Sequence, residues 1–427
     1  MKQYTYPLLD QQAWRKTLPS GLPIVVAPTP GFTKKLAYFV TDYGSIHTDF
    51  VLEGKVHKAP AGVAHYLEHK LFDMPGRDIT GEFAALGAVP NAFTGYDLTA
   101  YYFSCTSHFN ENLRLLLEFV TTPYFTEGSV AKEQGIIGQE IDMNVDNPDT
   151  RIFENLMEAM YESHPIRVPI LGTSQSIAQI TPAVLTQCHS AFYRPENMFL
   201  CVVGDVDPAQ VAAIAEEFFP AKELPEVTAQ RVWQEKMTCL KSYVEEQMEV
   251  AMPMFQIGFK CQPAENGEPA IRQETVGDLA AEWLFGESSE LYMRLYEQGL
   301  IDGSFGGGFE TVDSMAMLSC GGDSKDPDAV LQAILEQARK LLEEGLAEED
   351  FQRMKRSALG RRLRDMDSFD STAFRLCAYH FSGFDYFRFP EVYRAVEKEE
   401  LTEFIRQAVT PERAALSVIV PIKEDAK

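Results

Sequence analysis

The sequence predicts an α+β protein built from two homologous domains, each a largely antiparallel β-sheet with helices packed on one face. Three observations indicate this. The chain has 427 residues, which exceeds the usual limit of a single hydrophobic core and suggests two domains of about 200 residues each. Its content of 45% hydrophobic and 24% charged residues is typical of globular proteins. Apolar strands and helical segments alternate, and their pattern recurs once along the chain.

The repeat is clearest where each half ends. Leu-Thr at 185–186, Pro-Glu at 195–196 and an apolar strand at 200–204 recur at 401–402, 411–412 and 416–420, a constant offset of 216 residues. Residues 63–72 and 276–285 also share a first Val and a final Leu-Phe. We therefore predict an N-terminal metal-binding domain over residues 1–222 and a C-terminal domain over 241–427. Residues 223–240, with a proline and a polar bias, are the expected linker.

The elements of each half follow from hydrophobic periodicity and turn residues. In the first half we predict strands at 22–27, 36–43 and 99–105 and helices at 79–86 and 110–119. In the second half we predict strands at 255–259 and 316–319 and helices at 274–285 and 289–299.

The strongest functional signal is the segment His65-Tyr66-Leu67-Glu68-His69. On a helix, positions i, i+3 and i+4 share one face, so both imidazoles and the Glu68 carboxylate converge on one point. The order H-x-x-E-H is the inverzincin pattern, in which the histidines bind zinc and the glutamate activates a water. Small or apolar residues flank the motif, which favours a partly buried helix rather than a surface helix that carries two histidines by chance.

Two histidines leave zinc short of the three protein ligands that a catalytic site usually has. Glu133 and Glu140 lie seven residues apart in a segment with apolar residues at 136, 137 and 141, which reads as a helix with both carboxylates on one face. One of them could bind the metal while the other orients a ligand. Spacing alone does not rank them, and an ordinary solvated acidic face is the alternative in a chain with 63 acidic residues.

These residues resemble the pitrilysin and mitochondrial-processing-peptidase family of zinc peptidases, in which E-x6-E follows the H-x-x-E-H helix by some seventy residues. The resemblance extends over the whole chain, including the segment 193–198. It implies the family's metallohydrolase fold, shared with LuxS, and one Zn²⁺ per chain held by His65, His69 and Glu140. It also implies that Glu68 is the catalytic base and Glu133 a supporting catalytic carboxylate.

The same resemblance implies a site for the substrate. The residues Asn91, Ala92, Phe93 and Thr94 are similar to the family's edge strand, along which a peptide lies. Arg294 matches an arginine that helps to hold the substrate carbonyl, but the tyrosine that follows it by seven residues in the family is Ile301 here. The alternative for Arg294 is a solvated helix arginine.

The second repeat does not carry a second metal site. On the repeat register, Asp278, Ala281 and Glu282 stand where His65, Glu68 and His69 stand in the first half. We therefore expect the C-terminal domain to form a wall of the substrate chamber.

Composition excludes several other functions. A net charge of −25 argues against nucleic-acid binding, which needs a basic patch. No apolar run of eighteen or more residues predicts a membrane span, and the first residues lack the features of a secretory signal. Because a secretory signal is not evident, we expect a cytoplasmic protein. Seven cysteines without a C-x-x-C pair indicate reduced, mostly buried thiols.

We therefore predict a zinc-dependent endopeptidase that cleaves extended peptides in a closed chamber. A chain of two repeats is half of the family's four-domain chamber, so the resemblance implies a dimer with a homologous zinc-less subunit or with a second copy. The alternative is a non-proteolytic assembly or core subunit of the same fold, and the presence of all four motif residues argues against it.

Overall fold

A computed structural model describes residues 1–222, 224–231 and 233–422, and these form two compact units. Unit 1 contains residues 1–141, 169–231 and 363–388. Unit 2 contains residues 142–168 together with the described parts of 232–362 and 389–427. Each unit therefore takes segments from both halves of the chain.

The strands in chain order are β1 (Lys2–Tyr6), β2 (Gln11–Thr17), β3 (Pro23–Ala27), β4 (Lys35–Thr41), β5 (Asp49–Leu52), β6 (Lys55–Lys58), β7 (Ala88–Thr94), β8 (Thr99–Cys105), β9 (Met198–Gly204), β10 (Val227–Ala229), β11 (Tyr243–Met248), β12 (Met254–Cys261), β13 (Gly306–Val312), β14 (Met315–Asp323) and β15 (Ala414–Pro421). The first ten belong to unit 1 and the last five to unit 2.

The α-helices are α1 (Val63–Leu71), α2 (Ile79–Ala85), α3 (Phe109–Thr121), α4 (Glu127–Val145), α5 (Pro148–Met160), α6 (Ser174–Ile177), α7 (Pro182–Phe192), α8 (Pro208–Phe218), α9 (Glu268–Phe285), α10 (Glu290–Glu297), α11 (Pro327–Glu344), α12 (Glu348–Asp365), α13 (Phe369–Phe381), α14 (Phe389–Ala395) and α15 (Lys398–Ala408). Among the described residues, none of these helices is long and apolar enough to cross a membrane.

The two units share one sheet topology. In the described residues, the sheet of unit 1 has the order β1-β2-β3-β9-β4-β8-β7 and that of unit 2 the order β11-β15-β12-β14-β13. The run β3-β9-β4-β8-β7 matches the whole second sheet in order and polarity, because β3/β9 and β11/β15 are parallel and the following pairs antiparallel. The predicted fold class, α+β with two homologous and largely antiparallel sheets, is confirmed.

The compact units differ from the predicted ranges 1–222 and 241–427 because two helices are exchanged. Helix α5, from the first half, packs on β11, β12 and β15 of unit 2, whereas α13, from the second half, packs on β4 and β9 of unit 1. Both helices occupy the same place in the repeat, since each follows the long helix α4 or α12.

The exchanged helix α13 covers the second face of the unit 1 sheet. Successive residues of a strand face opposite sides of the sheet, so the side chains of Tyr38 and Phe39 lie on its two different faces. Phe39 contacts Phe219 near the end of α8, whereas Tyr38 stacks on Tyr102 on the side that α13 covers. Every residue of β9 is buried as a result.

The expected linker over 223–240 is not a free connection. Within it, β10 pairs with β5 in a small sheet of unit 1 that also contains β6. Glu235 is bound by the backbone of residues 162–164 in unit 2. Backbone pairing and one partly buried carboxylate therefore order a segment whose composition predicts a linker. Residues 223 and 232 lie outside the described residues.

Most predicted elements lie where the periodicity placed them. Helix α9 begins at Glu268, earlier than predicted, and β14 continues to Asp323 because Gly321 and Gly322 extend its pairing with β12. All seven cysteines are free, and all but Cys239 are buried.

Candidate metal centre

Helix α1 carries the histidine motif and starts at a tight approach of the backbone. Its N-cap is Gly62, with φ of 89°, a left-handed conformation that glycine tolerates best. A Cβ at this position would lie 2.3 Å from the Leu171 carbonyl oxygen. The nine-residue helix is buried almost throughout, which fixes the directions of His65, Glu68 and His69.

Helix α4 brings two carboxylates to α1. Ile137 and Ile141 are buried in the core of unit 1, which orients Glu133 and Glu140, at helical spacing from them, toward the motif. The Tyr66 hydroxyl donates a hydrogen bond to the Val130 carbonyl and holds α1 against α4.

The two histidines and Glu140 converge. His65 Nε2 lies 3.7 Å from Glu140 Oε1, and His69 Nε2 lies 3.6 Å from Glu140 Oε2. One donor atom of each residue lies within 4.8 Å of the others, and this is the group of potential metal ligands found among the described residues. The separations exceed hydrogen-bond length, so the three side chains surround a common point rather than bind one another.

This arrangement fits a zinc ion. Ligand atoms about 2.0–2.2 Å from a tetrahedral zinc are about 3.4 Å apart, close to the distances of 3.6 and 3.7 Å. Two imidazole nitrogens and one carboxylate are a donor set of catalytic zinc sites, in which the fourth position stays open for water or substrate.

Glu133 lies behind the ligand group. Its Oε1 is 2.9 Å from His69 Nδ1, the nitrogen that faces away from Glu140. A carboxylate there fixes the tautomer of the ring and raises its basicity. His65 has no equivalent partner, because its Nδ1 is buried without a hydrogen bond in the described part of the chain, and packing alone orients that ring.

The protonation of the two rings differs. Burial, followed by the charge of His69, lowers the pKa of His65 to about 3, so this ring is neutral at pH 7 and able to bind a metal. Burial also lowers the pKa of His69, but the hydrogen bond to Glu133 and the charges of Glu68, Glu133 and Glu140 outweigh it and raise the pKa overall.

Glu68 contacts the edge strand. Its Oε2 accepts a hydrogen bond of 2.6 Å from Thr94 Oγ1 at the end of β7. The side chain is buried, and burial raises the pKa of Glu68 despite the hydrogen bond from Thr94. A carboxylate with a raised pKa beside a metal site suits a general base.

The predicted peptide strand is the edge of the sheet. Among the described strands, β7 pairs with β8 alone, in the register Ala92 with Tyr101 and Thr94 with Thr99. The Ala92 N–H donates a hydrogen bond of 2.9 Å to an atom outside the ladder, Asn91 Oδ1. The backbone groups of Ala92 therefore face the open edge. Phe93 points to the other face, where it contacts Phe374 on α13.

Arg294 lies on α10 in unit 2 and is not part of the ligand group. Ile301 is 4% exposed and belongs to the hydrophobic core of unit 2 with Leu295 and Phe305. The side chain at the position of the family tyrosine therefore faces the protein interior.

In unit 2, the residues that correspond in the repeat to His65 and His69 form ion pairs. Glu282 binds Arg361 at 3.1 Å, and Asp278 lies 3.9 Å from Arg362. Ala281 is buried. Arginine charges of α12 compensate the charges of these carboxylates.

Comparison with known proteins identifies the family. The model "Insulinase (Peptidase family M16)" matches residues 53–174, and the model "Peptidase M16 inactive domain" matches residues 179–358. The zinc protease YmfH of Bacillus subtilis, itself described as uncharacterized, is 36% identical over 99% of both chains. The chain belongs to peptidase family M16.

Solved M16 structures agree with this assignment. A putative M16-like peptidase from Alicyclobacillus acidocaldarius is 31% identical over 97% of this chain and 99% of that one, with a TM-score of 0.92. The crystal structure of pitrilysin, 17% identical, shares the fold with a TM-score of 0.78 over 99% of this chain and 46% of that chain. The ligand group lies within residues 53–174, which the first model matches, and outside residues 179–358, which the model called inactive matches.

The sequence did not indicate two features of the M16 centre. One is the bond from Thr94 to Glu68, since Thr94 was expected to contact substrate. The other is a buried pair of hydroxyls, Tyr101 and Tyr193, 2.8 Å apart, whose pKa values are raised by burial and also by the charge of Glu68. Only the alternation of β7 and β8 could have suggested the first feature.

Proposed function

We propose that the protein is a zinc-dependent endopeptidase, and the observation that carries this proposal is the convergence of His65, His69 and Glu140 beside Glu68. The three residues would hold one Zn²⁺ per chain. When bound, zinc supplies a Lewis acid that makes a water nucleophilic near neutral pH and polarises a carbonyl. The names of the M16 relatives as zinc proteases support the same reaction class.

Glu68 would act as the base. Its burial raises the affinity of the carboxylate for a proton, so it can take a proton from the attacking water and return it to the leaving amine. Glu133 would hold His69 in the tautomer that leaves Nε2 free for the metal. Neutral His65 needs no proton removed before it binds.

The substrate would be an extended peptide added as a strand to the edge of β7, along Asn91, Ala92, Phe93 and Thr94. Backbone hydrogen bonds give affinity with little dependence on sequence. The open edge and the outward backbone of Ala92 support this mode. The Asn91 side chain, which caps the Ala92 N–H, would have to release it to an incoming carbonyl.

The active form would be a dimer of this fold that encloses the peptide in a chamber, with Arg294 available to contact substrate. Ile301 is buried and apolar, so this chain does not offer a tyrosine hydroxyl at that position. A homologous zinc-less subunit that carries the arginine and the tyrosine would complete the carbonyl contacts better than a second copy. We place the protein in the cytoplasm, where its free thiols would remain reduced.

The test is metal-dependent hydrolysis. A fluorogenic peptide library is incubated with the purified chain, alone and with a zinc-less homologue, before and after removal of metal by a chelator and re-addition of Zn²⁺. We expect cleavage of unfolded peptides that disappears with the metal and returns with about one zinc per chain. Cleavage that persists in metal-free protein would contradict the proposal, as would an absence of cleavage in every zinc-loaded preparation.

A further inference from the structure

We propose that the Thr94 hydroxyl positions the Glu68 carboxylate, so that the strand expected to hold the peptide also fixes the base. This inference rests on the peptidase function proposed above. Thr94 Oγ1 and Glu68 Oε2 are 2.6 Å apart. A hydroxyl that faces an ionised carboxylate is the donor, and such charge-assisted bonds are shorter and stronger than neutral ones.

The geometry of strand β7 and helix α1 brings Thr94 and Glu68 together. Neighbouring residues of β7 face opposite sides, and Phe93 packs toward α13 through Phe374. Thr94 must therefore face the other side, with Tyr101 of β8, whose ring lies near Phe72 at the end of α1. Glu68 is on the same helix. The hydroxyl and the carboxylate thus meet because an edge strand and a buried helix fix both backbones.

Glu68 needs such a contact to hold one orientation. A glutamate side chain has three torsions, and a base acts only within hydrogen-bond reach of the proton it removes. Among the residues that the structure describes, Thr94 is the side chain that hydrogen-bonds the Glu68 carboxylate. His69 and Glu140 influence Glu68 through their charges, which do not select one torsion.

The position of Thr94 gives this contact a role in catalysis. Ala92 and Thr94 are two residues apart, so their backbone groups face the same direction, toward the open edge. The same strand then fixes the position of a peptide paired with that edge and the position of the carboxylate that Thr94 binds. The hydroxyl would thereby fix the distance between base and scissile carbonyl, a role distinct from a side-chain contact with substrate.

The test compares Thr94→Val, which removes the donor and keeps the shape, with Thr94→Ser, which keeps the donor. We expect Thr94→Val to lower kcat by about 10- to 100-fold, with KM changed by less than about twofold because backbone pairing holds the peptide. Zinc content should match that of the wild type. Thr94→Ser should recover kcat to within about threefold of the wild type. Thr94→Ala, a second variant without the hydroxyl, should lose kcat as Thr94→Val does.

The matched control is Thr99→Val. Thr99 is the register partner of Thr94 on β8, but its hydroxyl bonds the Tyr43 carbonyl. We expect this variant to lower the melting temperature and leave kcat and KM unchanged. A second readout needs neither metal nor activity. Crystal structures of the metal-free proteins should show one orientation of the Glu68 carboxylate in the wild type and a displaced one in Thr94→Val.

The outcomes separate two failures. An active wild type whose kcat is retained in Thr94→Val and Thr94→Ala would overturn the positioning role and leave the peptidase intact. A Thr94→Ser variant as slow as Thr94→Val, or an unmoved Glu68 in the crystal structure of Thr94→Val, would also overturn it. Absence of cleavage by the zinc-loaded wild type, both alone and with the zinc-less homologue, would overturn the peptidase function itself.

Discussion

His69 Nδ1 lies 2.9 Å from Glu133 Oε1, while His69 Nε2 faces Glu140 at 3.6 Å. Each nitrogen of this ring therefore meets its own carboxylate of α4, one behind the ligand group and one within it. Spacing in the sequence treats Glu133 and Glu140 alike. The geometry favours Glu140 as a ligand and Glu133 as the residue that orients His69.

The first prediction concerns that orienting contact. Replacement of Glu133 by Gln keeps a hydrogen bond but removes the charge that favours the metal-binding tautomer of His69. We expect zinc affinity to fall by about 10- to 100-fold, measured by competition with a chromophoric chelator. Glu127→Gln, at an exposed position of the same helix, is the control. Equal affinities in both variants and the wild type would show that Glu133 does not support the site.

The second prediction concerns the ligands. His65→Ala combined with His69→Ala should remove nearly all zinc, whereas Glu140→Gln should bind it more weakly, because a neutral amide is a poorer ligand than a carboxylate. Elemental analysis after dialysis measures the metal per chain. The double variant of His57 and His108, which lie in β6 and before α3, controls for adventitious binding. Full zinc occupancy without His65 and His69 would place the metal elsewhere.

The third prediction concerns the partner. Because Ile301 is 4% exposed within an apolar core, the isolated chain lacks the tyrosine hydroxyl near the substrate carbonyl. We expect it to be weakly active or silent on peptides, and to gain activity with a zinc-less homologue carrying the arginine and the tyrosine. Light scattering follows the association. Strong hydrolysis by a confirmed monomer, unchanged by any such partner, would contradict the pairing.

Local patterns were sufficient to predict the motif helix, the helix with Glu133 and Glu140, and the repeat, because each depends on residues close in sequence. The strands of each repeat could also be predicted from residues close in sequence. The shared strand order, β3-β9-β4-β8-β7 in unit 1 and β11-β15-β12-β14-β13 in unit 2, explains the offset of 216 residues.

The exchange of α5 and α13 could not be predicted from periodicity. Both helices have an apolar face. The hydrophobic pattern of such a helix does not specify which of the two sheets it covers. Long-range packing decides between the sheets. The bond from Thr94 to Glu68 was missed for a similar reason, since it joins a strand to a helix 26 residues earlier in the chain.

The order of the 223–240 segment also depends on distant groups, and it gives a fourth prediction. Glu235 accepts hydrogen bonds from the backbone N–H groups of Glu162, Ser163 and His164 and from Lys260. Burial alone would raise the pKa of Glu235, but these donors outweigh it and lower the pKa to about 2.

A depressed carboxyl pKa stabilises the fold above the ordinary value of 4.5, and this contribution is lost as the pH falls toward about 2. We expect Glu235→Gln to reduce the free energy of unfolding at pH 7 by about 2 kcal/mol. The deficit should shrink between pH 4.5 and 2. Urea titrations at several pH values measure it. Glu162→Gln, on an exposed ion pair with Lys236, should have little effect. A deficit for Glu235→Gln that does not depend on pH would contradict this account.

The most direct test of the central claim is the rate of peptide cleavage per bound zinc in Glu68→Gln, measured beside the wild type in the same preparation with the same partner. Glu68 lies next to the ligand group but binds Thr94, so the variant should keep about one zinc per chain and lose about 100-fold or more in kcat. Equal cleavage rates per zinc in Glu68→Gln and the wild type would show that Glu68 is not the base.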